Sequence, residues 1–135
     1  MYVDFWDFEK TVMHSRGFYW VDEFMGETNN KHGKWEYWDR QGRIEEVQNY
    51  YNGVLHGKVT SYWPNGKKKE EGFFYKGYQD STYTAWHDNG EIRVEGYYNV
   101  SRPVGQWNYF YENGAKMMEE DNVDSITYVM NFWMP

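Results

Sequence analysis

The sequence of 135 residues contains no cysteine, which excludes a disulfide framework, a thiolate nucleophile and a zinc–thiolate site. It also lacks an apolar run of the roughly 18 residues that a membrane-spanning helix requires. Its first residues include acids, without the basic start and apolar run of a secretory signal. These absences predict a cytoplasmic protein with no transmembrane segment and no redox chemistry.

Basic residues are few: 14 lysines and arginines stand against 21 acids, for a formal net charge of -7. Phosphate binding needs clustered basic residues, and the one basic run, 67–69, is followed at once by Glu70 and Glu71. We therefore expect no nucleic-acid partner. The run is interpreted as a solvated hairpin edge.

Aromatic residues are abundant, at 22% of the chain. Tyrosine and tryptophan thus replace aliphatic residues as the source of buried area, and a disordered chain would be poor in them. The length fits one domain or one short repeat array, so residues 1–135 are predicted to form a single folded domain.

Glycines recur at a constant period, which indicates a repeat architecture. One series consists of Gly42, Gly66, Gly90 and Gly114. A second series with the same period consists of Gly33, Gly57 and Gly105, with Ser81 at the position where a fourth glycine would stand. The predicted repeats are 33–56, 57–80, 81–104 and 105–128, preceded by a degenerate half-repeat over 17–32.

Each repeat reads as a β-hairpin. A short run rich in aromatic and β-branched residues, typical of a strand, leads to a turn at the first glycine series. In three repeats asparagine precedes that glycine, at Asn65, Asn89 and Asn113. An Asn-Gly pair between strands predicts a two-residue type I′ turn, with positive φ at both residues. Second turns are predicted at Asn52-Gly53, at Lys76-Gly77 and over 101–103.

These turns lie too close together for ordinary helices, so the predicted class is all-β: an extended antiparallel meander of stacked hairpins in an open sheet. Pairing about Asn89-Gly90 places one set of side chains on a common face: Tyr83, Ala85, His87, Ile92, Val94 and Tyr98. Trp86 and Arg93 are expected on the other face. The ends, 1–16 and 129–135, are interpreted as caps over the sheet edges, or alternatively as partner-binding arms.

No catalytic, metal or cofactor site is predicted. His32 and His56 lie one repeat period apart, each before a glycine, so their repeat position explains them. Acids occur in adjacent pairs such as Glu45-Glu46 and Glu70-Glu71. Because neighbouring residues of a strand point to opposite faces, such pairs are not expected to converge as glycosidase carboxylates must. Nucleotide, calcium and zinc-protease motifs are missing from the sequence.

The repeat resembles the MORN repeat, in particular its bacterial variant. The matching segments are Gly33–Trp38, Tyr62–Lys67, Glu71–Gly77, Trp86–Gly90 and Gly105–Gly114, within residues 17–121. The resemblance implies stacked hairpins and a role as scaffold, dimerisation module or membrane-associated platform. The bacterial type is often described as antitoxin-like. The chain departs from the pattern at Ser81 and in the fourth repeat, which lacks the second aromatic residue and glycine.

The favoured hypothesis is a non-enzymatic module that binds another protein, since acidic charge and aromatic anchors suit a basic partner. The candidate binding residues are Trp38, Tyr62, Trp86 and Phe110. An antitoxin or immunity-type inhibitor is the specific form that the resemblance implies. The alternative is an aromatic platform for glycans or lipid headgroups, and self-association through sheet edges is a further expectation.

Overall fold

The protein is all-β in a computed structural model that describes residues 1–123 and 127–133. The strands are β1 (Tyr2–Phe5), β2 (Met13–Asp22), β3 (Gly26–Trp38), β4 (Ile44–Tyr51), β5 (Val54–Leu55), β6 (Gly57–Tyr62), β7 (Lys68–Tyr75), β8 (Tyr78–Trp86), β9 (Ile92–Asn99), β10 (Arg102–Phe110), β11 (Lys116–Val123) and β12 (Thr127–Phe132). Each strand pairs antiparallel with the next in one open sheet, except that the two-residue β5 pairs only with β4 and β6 follows β4 in the sheet. The predicted fold class is confirmed.

The turns at one end of the sheet contain two residues, and we call this end the short-turn end. Tyr51 pairs with Val54 around Asn52 and Gly53, whose φ angles are +44° and +85°. Positive φ at both central residues defines a type I′ turn. The same conformation occurs at Lys76-Gly77 and at Val100-Ser101. The second-turn predictions at 52–53 and 76–77 are confirmed, and the third such turn lies at 100–101 rather than over 101–103.

The Asn-Gly turns lie at the other end of the sheet, the long-turn end, and their predicted turn type is wrong. At Asn65-Gly66 only the glycine has positive φ. Trp63 N–H donates to Lys67 O at 2.8 Å and Gly66 N–H donates to Trp63 O at 2.9 Å. The loop therefore has three residues and ends in a glycine bulge.

Asparagine is used in these loops for its side chain rather than for positive φ. Asn65 Oδ1 accepts a hydrogen bond from Lys67 N–H at 2.9 Å, and Asn65 Nδ2 donates to Asp88 O in the next long turn at 2.7 Å. Asn89 repeats both contacts, with Glu91 N–H and Glu112 O as its partners. The asparagines thus connect successive hairpins.

The second glycine series also has a common backbone conformation. Gly33, Gly57 and Gly105 have φ angles of +70°, +108° and +64°. Ser81, at the fourth position, has a φ of +67°. The repeat therefore retains its left-handed residue even where the glycine is missing, which is an unfavourable conformation for serine.

The two faces of the sheet differ in chemistry. Equivalent positions of successive repeats on what we call the aromatic face hold Trp35, Val59, Tyr83 and Trp107, whereas the opposite, charged face holds Glu36, Thr60, Thr84 and Asn108. The predicted common face is confirmed for Tyr83, Ala85, Val94 and Tyr98. Ile92 is an exception, because a register shift after Ala85 pairs it with Trp86.

Two buried tryptophans on the aromatic face form the core. Trp35 is 1% exposed and Trp107 is 5% exposed. Each indole lies flat against a glycine of the preceding strand: a Cβ added at Gly17 would lie 2.3 Å from Trp35, and one at Gly96 would lie 2.1 Å from Trp107. Each indole N–H also donates to a backbone carbonyl: Trp35 Nε1 donates to Phe18 O at 2.9 Å, and Trp107 Nε1 donates to Tyr97 O at 3.1 Å. Both buried polar atoms are thereby satisfied.

The terminal strands extend the sheet. β1 pairs with residues 13–17 of β2, and the Tyr2 ring contacts Tyr19 and Trp35 with centroid distances of 5.3 and 5.7 Å. β12 pairs with β11 at the other edge. The expected C-terminal cap, 129–135, includes residues 134 and 135, which lie outside the described residues.

Candidate functional site

A continuous row of aromatic rings crosses the short-turn end. This aromatic row consists of Trp20, His32, Tyr51, His56 and Tyr75. Successive ring centroids are 4.6, 5.2, 6.2 and 5.2 Å apart. Tyr51 is 58% exposed and Tyr75 is 55% exposed. The two tyrosines occupy equivalent positions of successive repeats, and this is the sequence signal that could have identified them.

The two histidines hold the short turns in place. Asn52 N–H donates to His32 Nδ1, and Lys76 N–H donates to His56 Nδ1, each at 3.2 Å. A ring nitrogen that accepts a hydrogen bond carries no proton, so Nε2 carries it in the neutral ring. The repeat position of these histidines thus corresponds to a structural role.

The row is closed at one end and open at the other. Around His32 the rings of Trp20 and Tyr51 are in contact, with centroids 5.6 Å apart. Between Tyr51 and Tyr75 there is instead a groove of about 500 Å³, which is lined by Tyr51, Asn52, Val54, His56, Tyr75 and Lys76. Lys76 Nζ lies 5.3 Å from the centre of the Tyr75 ring. The groove is mostly apolar, with a cation at its margin.

The binding residues proposed from the sequence lie near the long-turn end, far along the strands from this groove. All four are half-buried: Trp38, Tyr62, Trp86 and Phe110. The backbone carbonyls of three of them are in contact with side chains from other parts of the chain. Trp6 Nε1 donates to Trp38 O at 2.8 Å, Trp63 Nε1 donates to Trp86 O at 3.1 Å, and His87 Nε2 contacts Phe110 O at 2.9 Å. Their role in binding stays a prediction.

A hollow of about 560 Å³ opens in the middle of the aromatic face. It is lined by Glu45, Glu46, Val59, Ser61, Tyr62, Lys69, Glu70, Gly72, Phe74, Gln79, Tyr83 and Tyr98. Val59 and Ser61 stand where the preceding repeat has Trp35 and Tyr37, so small side chains replace two rings. Ser61 Oγ is buried and has no hydrogen-bond partner among the described residues.

Adjacent acids converge here, contrary to the expectation from strand alternation. Tyr37 pairs with Glu46 and Trp38 pairs with Ile44, so Glu45 is the extra residue of a β-bulge. Glu45 and Glu46 consequently both line the hollow. The alternation holds for the other pair: Glu70 lines the hollow, whereas Glu71 lies beside Thr60 on the charged face.

Tyrosines at the hollow are held in their neutral form. Burial, and then the Glu70 carboxylate, raise the pKa values of Tyr83 and Tyr98. In the repeat 33–56, burial likewise raises the pKa values of Tyr37 and Tyr50. Their hydroxyl groups thus stay protonated, and able to donate hydrogen bonds, to higher pH than an unperturbed tyrosine.

The charged face is organised by ion pairs. Lys68 Nζ and Glu71 Oε2 are 2.8 Å apart, and Arg16 Nη2 and Glu36 Oε2 are 2.9 Å apart. Burial tends to raise the pKa values of both carboxyl groups, but their hydrogen bonds to these cations and their Coulomb interactions outweigh burial and lower them. Both glutamates are therefore ionised and already paired.

The described residues contain no cluster of three or more histidine, aspartate or glutamate side chains that could hold a metal ion. Within the same ranges, no helix has the length and apolar character to cross a membrane.

Comparison with known proteins supports the repeat assignment in the centre of the chain. Residues 55–76 and 79–99 match the family model for the MORN repeat variant. The matched segments cover β6, β7 and β9 and all but the first residue of β8, and they include part of both the groove and the hollow. The predicted resemblance is thus confirmed for these two repeats. No curated protein matches the chain.

MORN repeats generally mediate binding to proteins or membrane lipids, and they are not a known enzyme family. The two surfaces described above are accordingly considered as binding surfaces.

Proposed function

We propose that the chain is a non-enzymatic module that binds a protein partner through the aromatic row. The observation that supports this most is the groove between Tyr51 and Tyr75. Both rings are more than half exposed, yet each is held by contacts with His56 and its neighbours. Rigid, amphipathic tyrosines of this kind are typical anchors of protein interfaces.

The net charge of the chain indicates which partners would associate fastest. With a formal net charge of -7, the molecule attracts basic proteins over long range, which raises the association rate. An inhibitor of a basic toxin is the specific form that we propose. The alternative, a glycan or lipid platform built on Trp38 and Trp86, has less support because both rings are half-buried.

Co-expression tests the inhibitor form. The chain would be produced together with the product of the neighbouring gene, and growth and co-elution of the two proteins would be followed. We expect rescue of growth and a stable complex, both of which are lost in Tyr51→Ala/Tyr75→Ala. Phe8→Ala is the matched control, since Phe8 is fully exposed and lies outside the row. Rescue that is unaffected by the double variant would refute a role for the row.

A further inference from the structure

The hollow lies one repeat after a place where the chain encloses one of its own ammonium groups. Lys31 Nζ is 4.8 Å from the ring centre of Trp35 and 5.4 Å from that of Tyr50, and it donates a hydrogen bond of 2.5 Å to the Tyr37 hydroxyl. A cation within about 6 Å of aromatic ring centres is attracted by the negative ring faces. This part of the repeat can therefore hold an ammonium group.

The same four positions have different residues in the next repeat. Lys31, Trp35, Tyr37 and Tyr50 are replaced there by Leu55, Val59, Ser61 and Phe74. The cation is lost together with two of the three rings, and the hollow occupies the space. In its lining, the buried Ser61 hydroxyl lacks a hydrogen-bond partner among the described residues, although buried polar atoms in proteins are nearly always hydrogen-bonded.

The charge of the hollow suits a cation. Its ionisable carboxylates, Glu45, Glu46 and Glu70, outnumber its one lysine, Lys69, so the formal charge of its lining at neutral pH is -2. Within the described part of the chain, no lysine, arginine or histidine lies within 4 Å of the carboxylates of Glu45 and Glu46. Glu46 Oε1 accepts a hydrogen bond from Gln48 Nε2 at 2.9 Å, which leaves its negative charge in place.

The nearby cations are engaged elsewhere or only loosely bound to the acids. Lys69 Nζ lies 4.8 Å from the ring centre of Trp63, and Arg93 Nη2 is 3.7 Å from Glu70 Oε1. That second distance is long for a charge-assisted hydrogen bond, which is typically about 2.8 Å. When Lys69 and Arg93 are both counted against the three glutamates, a formal charge of -1 is left at the hollow.

We propose that the hollow binds an alkylammonium group, with its charge beside Glu46 and Glu70 and its methylene chain against Val59 and Tyr83. The volume lies within the usual range of about 300–1,000 Å³ for small-ligand sites. A lysine side chain of a protein and a free aliphatic amine both present this group. The site is separate from the aromatic row, so it does not depend on the function proposed above.

Calorimetric titration with two probes tests the proposal. The probes are n-butylammonium and the peptide acetyl-Gly-Lys-Gly-amide, and the expected result is saturable binding of one equivalent. Glu46→Gln and Glu70→Gln should each weaken binding about fivefold, as expected for partly exposed charge pairs. Glu71→Gln is the matched control, because Glu71 is adjacent in sequence but lies on the opposite face. It should leave the affinity unchanged.

A further variant tests the comparison between the two repeats. Lys31→Ala removes the ammonium group that lies among Trp35, Tyr37 and Tyr50. A second probe molecule should then bind in its place, so the stoichiometry should rise from one probe to two. Tighter binding of the peptide would identify protein lysine as the ligand, whereas equal affinities would indicate a free amine. The proposal is overturned if neither probe saturates at millimolar concentration, if Glu71→Gln weakens binding as much as Glu46→Gln, or if Lys31→Ala leaves one equivalent.

Discussion

The outer parts of the aromatic face are filled, whereas its centre is open. Trp35 covers Gly17 near one edge, and Trp107 covers Gly96 near the other. Of the two repeats between them, the first has Val59 at the tryptophan position and the second has Tyr83. The hydrogen bonds of the turns recur throughout, since Gly53, Gly77 and Ser101 each donate to the equivalent carbonyl of the preceding short turn or strand. The backbone of the short turns therefore repeats, while the side chains decide which positions form core and which form a site.

The largest expected difference is in the free energy of unfolding, between alanine variants of the filled outer part of the face and of its open centre. Trp107→Ala is expected to lower the free energy of unfolding by about 3–5 kcal/mol, because it removes a fully buried indole. Val59→Ala should cost only about 1 kcal/mol, because it enlarges a space that is already open. Urea denaturation followed by circular dichroism measures both. Equal losses would contradict the division into core and site.

The glycines beneath the rings provide a second comparison. Gly96→Ala would place a Cβ 2.1 Å from the Trp107 indole, so the ring or a strand must move. We expect a cost of about 3 kcal/mol. Gly72→Ala is the matched control one repeat earlier, where the nearest atom, at 3.0 Å, is the amide nitrogen of the flexible Gln79 side chain. It should cost less than about 1 kcal/mol, and the two midpoints in urea should differ accordingly.

The repeat period was sufficient to predict the fold. Turn residues at a constant period specify hairpins of equal length, and short connections between equal hairpins favour pairing in sequence order, as in a meander. Turn type was harder to predict. Asn65 can either adopt positive φ or accept a hydrogen bond through its side chain. The choice depends on its contact with Asp88 in the following repeat, and the turn propensity of asparagine takes no account of that contact.

The hollow was not predicted, because it depends on a register shift. Strict alternation assigns Glu45 and Glu46 to opposite faces, and only the bulge opposite Tyr37 and Trp38 brings both to the same cavity. The candidate residues Trp38 and Trp86 were chosen for their ring size and spacing. Spacing indicates which positions are equivalent in the repeat, but exposure depends on packing between neighbouring hairpins.

Alkaline titration compares the ionisation of the tyrosines beside the hollow with that of the other tyrosines of the chain. The pKa of Tyr83 is raised in the folded state by burial and by Glu70. Its contribution to stability is therefore complete below about pH 10, the usual pKa of tyrosine, and is lost as the pH rises through the higher folded value. Ultraviolet absorbance of the phenolate should show late ionisation that disappears in Tyr83→Phe. Glu70→Gln should bring this ionisation to lower pH, whereas Glu71→Gln should not.

The smallest effect is expected at Ser81, in the central part of the sheet. Its φ of +67° is costly for a residue with a Cβ, by about 1–2 kcal/mol, whereas Gly33, Gly57 and Gly105 adopt positive φ freely. Ser81→Gly removes this cost but loses about 0.5–1 kcal/mol to the greater freedom of glycine in the unfolded chain. The net gain should be about 0.5 kcal/mol.

Thr82→Gly is the matched control for this substitution. Thr82 is also exposed and lies in the same strand, but its φ is not positive, so glycine there brings only the entropic cost and should destabilise by about 1 kcal/mol. The midpoints of thermal unfolding should therefore move in opposite directions for the two variants. If both variants lower the midpoint, the serine side chain contributes more to stability than its backbone strain costs, and the repeat 81–104 does not need glycine at this position.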